Sequence, residues 1–173
     1  EVREYHQAIN DAIDDAYPIT LAELVAESTD FDVETGTVVV PPELTMLYAV
    51  EWEDSEGIWH PLPKAQRTNG WGWKIDVGSS TVVVTDSPRY LADGRPVRLY
   101  GYGKHPTLAS ESDRTDVNAE WLTARASYYL VRAGMDRDPQ RGSLILLFER
   151  ESAALRPRLR TLRKAATVNV RPT

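Results

Sequence analysis

The chain has 173 residues, which fits one domain or one domain with a sizeable insertion, and a chain this long can fold without disulfides or metal. It contains no cysteine, which excludes disulfide scaffolds, thiol catalysis and zinc–thiolate sites. The net charge of −6 hides an asymmetry, because residues 1–140 hold 24 acidic and 12 basic side chains while residues 141–173 hold 2 and 8. An acidic body is a poor clamp for nucleic-acid phosphates, whereas the basic end suits DNA or an acidic protein surface. No apolar run approaches the roughly 18 residues of a membrane span. No secretory signal stands at the start, which opens at Glu1 and leaves room for a preceding segment.

Residues 3–17 predict an amphipathic helix, with Tyr5, Ile9, Ala12, Ile13 and Ala16 on one stripe and Asp11, Asp14 and Asp15 opposite. Pro18 ends it. Leu21 to Ser28, LAELVAES, reads as a second short helix. From Gly36 the texture changes to runs rich in Val, Thr, Tyr and Trp: TVVVP, LTMLYAVEWE, IWHPL, WGWKIDV, STVVVTD and PVRLYGY. Turn-forming clusters separate them, which predicts an antiparallel sandwich or small barrel over about residues 36–103. In the last run Val97, Leu99 and Gly101 alternate with Arg98, Tyr100 and Tyr102, so that strand has two unlike faces.

Gly101 to Lys104, GYGK, superficially suggests a phosphate loop, but His105 and Pro106 follow where a hydroxyl and a helix start are required. The stretch is better read as the exit strand of the β region, its glycines removing side chains where the chain leaves the sheet. Ser110, Ser112, Asp113 and Asp116 then offer N-caps for a helix over about 117–133, with Val117, Trp121, Ala124, Tyr128 and Val131 on one stripe and Gly134 as its stop. A further helix spans about 139–155, where Leu144, Ile145, Leu147, Phe148 and Leu155 form a broad apolar face. Pro157 begins a new segment, RLRTLRKAA, and TVNV closes the chain in extended form.

The expected fold class is therefore α+β. A helical bundle core (residues 1–35 and 106–155) carries an inserted antiparallel β-sandwich or barrel (36–105) and an extended basic C-terminal tail (156–173). No catalytic, cofactor or metal residues are assigned. His6, His60 and His105 lack metal spacing, no nucleophile elbow or Rossmann glycine pattern occurs, and the helix-1 acids read as a solvated face. Two surfaces remain. Trp59, Trp71, Trp73, Tyr100 and Tyr102 suit a core or a subunit or tail contact better than a sugar-stacking platform. In the tail, Arg156, Arg158, Arg160, Arg163 and Lys164 supply charge, Leu159 and Leu162 an apolar edge, and Val168 and Val170 a strand able to join a partner's sheet.

The order of features resembles head-to-tail connector (adaptor) proteins of tailed bacteriophages. The leading YHQAINDAIDDAYP helix is followed by TVVVPPEL, a WHPLP strand, the PVRLYGYGKHPTLASESDRTDV exit and an AEWLTARASYYLVRAG helix. The resemblance runs over about residues 5–155. It implies a non-enzymatic virion subunit in the neck, assembled in the host cytoplasm without membrane. It also implies a ring, commonly of twelve copies, that sits under the portal protein, passes double-stranded DNA and docks the next neck or tail component. The tail would embrace the portal. A tail-terminator or head-completion role, or a β-sandwich that binds a glycan or host surface, are the alternatives.

Overall fold

A computed structural model of the chain describes residues 2–65, 72–85, 95–110, 112–134, 141–160 and 168–169. The chain divides into two compact units, one formed by residues 1–22 and 104–162 and the other by residues 23–103 and 163–173. It is an α+β protein, with three α-helices and two antiparallel sheets among the described residues.

In the helical unit, α1 (Val2–Ala16) buries Ala8, Ala12, Ile13 and Ala16. Those small side chains recur at i and i+4 on one face, so α2 (Ala119–Ala133) can approach closely. Trp121 of α2 fills the space they leave, in a core with Val117, Ala126 and Leu159. Asn118 caps α2, its side chain accepting the Trp121 N–H at 3.0 Å, and Gly134 follows the last turn. Helix α3 (Gly142–Leu155) packs against the other side of α2 and runs into a 3₁₀ turn at Arg156–Arg158. The loop before α2 is tied to α1 by Asn10, whose amide donates to the Leu108 carbonyl at 3.0 Å and accepts the Leu108 N–H at 2.9 Å.

In the β unit, the strands are β1 (Ala22–Ser28), β2 (Thr37–Val39), β3 (Leu44–Glu53), β4 (Trp59–Leu62), β5 (Gly72–Asp76), β6 (Thr81–Thr85), β7 (Val97–Gly103) and β8 (Val168–Asn169). One sheet has the order β1-β7-β3-β4, and β8 pairs with β3 at Met46 and Leu47, beyond the part of that edge covered by β4. The other has the order β2-β6-β5. Both contribute to one core: Leu47, Val50, Trp52, Val97 and Leu99 from the first, Val38, Trp73, Val82 and Val84 from the second. Gly101 and Gly103 let β3 pass close by, since a Cβ on them would fall 2.1 Å from the Met46 carbonyl oxygen and 1.8 Å from that of Glu43. That is why the exit strand is written with glycine.

Several expectations are corrected. LAELVAES is strand β1, with Leu24 and Ala26 packed against the β core, so the helical unit does not extend to residue 35. Pairing with β7 overrides the helix propensity of Leu, Ala and Glu. Among the described residues the two sheets are not closed into a barrel. Asp113 does not cap α2; its carboxylate accepts the Ala109 and Ser110 N–H groups and closes the preceding loop. The C-terminal segment does not begin as a free tail, because Leu159 is buried in the helical core and β8 lies on β3. Tyr5 lies outside the α1 stripe, 55% exposed, while Ala8 is inside it.

Candidate interaction surfaces

The predicted aromatic residues do not form one exposed surface. Trp73 is only 1% exposed and Tyr102 is also buried, so neither offers a ring to a ligand. Trp71 lies outside the described residues. Trp59 and Tyr100 are half-buried on the face of the first sheet turned away from its core, where each is already engaged. The Arg98 guanidinium lies 3.8 Å from the Trp59 ring centroid and its Nε donates to Glu27 at 2.9 Å. Tyr100 donates to Glu51 at 2.6 Å, and this bond and burial raise its pKa above the usual phenol range. Beside them Tyr48 donates to Glu23 and sits 5.4 Å from the Tyr102 ring. The result is a polar-laced aromatic face in place of bare platforms.

The C-terminal docking residues are dispersed in the same way. Arg156 and Arg160 are exposed. Arg158 is ion-paired with Glu120 of α2, and Leu159 is 3% exposed, so it anchors the segment to its own helical unit and is not a docking edge. Val168 pairs with Leu47. Leu162, Arg163, Lys164 and Val170 lie outside the described residues.

The broad apolar face predicted for helix α3 divides into a packed side and an exposed side. Ser152 is the only buried residue of the helix, with Ile145, Phe148 and Leu155 half-buried on the same side. Leu144, Leu146 and Leu147 are 44%, 55% and 55% exposed. Leu146 was not singled out from sequence; its place in the SLILLF run, too apolar for one helix face, was the available signal. Arg150 stands one turn on, exposed and with no ion pair among the described residues.

Three depressions flank α2 among the described residues. One, of about 330 Å³, is floored by Trp121 and Arg125 and walled by Asp15 of α1 and Glu149, Ser152 and Arg156 of α3. Here Asp15 accepts from Arg125 Nε at 2.6 Å and from the Tyr129 hydroxyl at 2.5 Å. Burial, helped by Asp15, raises the Tyr129 pKa, and the cluster locks α1 to α2. Another is a groove of about 420 Å³ between α1 and α2, with Ala8, Leu130 and Ala133 in it, Glu4 and Asp11 on the α1 side and Arg132 on the α2 side. The third, of about 550 Å³, lies between α2 and α3 against Ala124, Phe148 and Leu155.

Among the described residues no three His, Cys, Asp or Glu side chains group as a metal site. His60 contacts Asp54 at 2.7 Å, which with the Ile58 and Glu56 N–H bonds holds the Asp54 carboxyl below its usual range and closes a turn. His105 is buried at 3% exposure with Nε2 unpartnered, and burial pulls its pKa down despite Asp116. No helix among the described residues is long and apolar enough to cross a membrane. No protein-family model matches the chain, and a search of curated proteins finds no relative.

Proposed function

We propose that this chain is a structural subunit of the head-to-tail connector of a tailed bacteriophage. It forms a ring, commonly of twelve copies, beneath the portal, extending the DNA channel and presenting a platform to the next neck or tail component. The three helices act as the bundle that builds the ring, and the two sheets form a sandwich. The observation that carries this reading is the leucine face of α3, where Leu144, Leu146 and Leu147 stand exposed beside one another on a single helix. Contiguous apolar surface of this kind marks association. The order of sequence features resembling connectors supplies the partner, and the acidic body suits a channel along which DNA slides.

In this reading Arg156, Arg160 and the residues beyond them contact the portal, and the seating of Leu159 fixes where that segment leaves the helical unit. Pull-down by a purified portal protein tests it, comparing the full chain with one ended at Arg160. Loss of capture on truncation is expected, and equal capture would refute the docking role. The glycan-binding alternative is disfavoured by Trp73, which lies inside the β core.

A further inference from the structure

We propose that the ring closes head to tail through the helical units, the α3 leucine face of one copy seating on the α1/α2 groove of the next. This rests on the ring reading above and names the two faces that make the contact. A ring needs heterologous contacts, that is, two different and complementary patches on each subunit.

The helical unit has two such patches, and they cannot satisfy each other within one chain. Helix α2 packs against both α1 and α3. The cleft floored by Trp121 and Arg125 separates Asp15 from Glu149. The groove used by Ala8, Leu130 and Ala133 lies between α1 and α2, while Leu144, Leu146 and Leu147 lie on the side of α3 turned away from α2.

Charge sets the pairing. Helix α1 turns Glu4 and Asp11 to the groove, while its Asp14 and Asp15 are ion-paired with Lys104 and Arg125. From Gly142 to Arg160 the bases Arg150, Arg156, Arg158 and Arg160 outnumber Glu149 and Glu151. Arg150 is four residues from Leu146 and three from Leu147, so it projects from the same face. Asp11, on the groove, is hydrogen-bonded to the neutral Gln7 at 2.7 Å. Seating the leucines on Ala8, Leu130 and Ala133 brings Arg150 to the acidic α1 side. An isologous pairing of two α3 helices about Leu146, Leu147 and Arg150 would instead set the two arginines together.

The test exploits the absence of cysteine. A Gln7→Cys/Leu147→Cys variant, oxidised at high concentration, is expected to give a disulfide-linked ladder of dimers, trimers and larger species, while each single variant stays essentially monomeric. A Leu147→Cys chain that cross-links to dimer as readily as the double variant would overturn the proposal in favour of α3 self-pairing. Absence of any ladder would also overturn it. Arg150→Glu and Asp11→Arg should each weaken association about tenfold or more by sedimentation. Mixing the two should restore it, because each supplies the face the other needs. Unchanged association of Asp11→Arg would equally count against the contact. If rings on a portal are seen by electron microscopy but no ladder forms, this interface is wrong and the connector reading stands. If neither appears, both fall.

Discussion

Replacing Trp73 with alanine separates a structural role for the tryptophans from a ligand platform. Trp73 is 1% exposed and lies in the core shared by both sheets, against neighbours that include Val82 and Val84 of β6. A buried tryptophan removes about 150–250 Å² from water. At about 25 cal/mol per Å² that is about 4–6 kcal/mol, an upper bound because the unfolded chain already hides some surface. Mutational experience with such truncations gives about 3–5 kcal/mol. For a unit the size of the β unit, 1 kcal/mol moves the melting temperature by about 4–8 °C, so a fall of at least about 12 °C is expected. Urea unfolding followed by the fluorescence of the remaining tryptophans reads the loss. A cost below about 1 kcal/mol would refute the burial argument, and a stable variant that lost binding to a glycan panel would restore the platform reading.

Two further predictions follow from the same structure. Gly103→Ala should destabilise the β unit by about 1–3 kcal/mol, because its Cβ would meet the Glu43 backbone carbonyl, which cannot rotate away; an unchanged urea midpoint would contradict the register of β3 and β7. The depressed pKa of His105 makes the helical unit acid-sensitive: stability is full above the ordinary histidine value near 6.5 and falls as pH drops through it, because the unfolded chain binds the proton first. His105→Leu should flatten that slope in melting experiments. An unaltered slope would mean that another group is responsible. The turn aspartates Asp32, Asp54, Asp76 and Asp113, whose values are lowered by turn hydrogen bonds, act only at lower pH, as their carboxylates protonate.

The strands between Thr37 and Gly103 were legible because their alternation and the turn residues between them are local signals. Helices α1 and α2 were legible for the same reason. Strand β1 was not, since AELVAES has helix-forming composition and its alternation of Leu24 and Ala26 with Glu23, Val25 and Glu27 gains meaning only beside β7. Cap assignment failed where four candidates stood in a row: Asn118 takes the α2 cap and Asp113 closes a loop, a choice made by tertiary position. The burial of Leu159 was hidden by the arginines around it, which read as a solvated segment. The exposed face of α3 was the reverse case. Sequence reports that a helix is apolar, but only the arrangement of its neighbours reports how much of it they cover. The cluster of Asp15, Arg125 and Tyr129 left one local trace, an i, i+4 pair on α2, with its partner far away in sequence.

The proposed function requires association with copies of the same chain at a portal. Electron microscopy of this protein mixed with its portal tests that directly, with the Leu147→Glu variant prepared in parallel. Closed rings adding a layer of density beneath the portal are predicted for the wild type and their loss for the variant. Portal particles unchanged by the protein, with the chain remaining monomeric beside them, would contradict it.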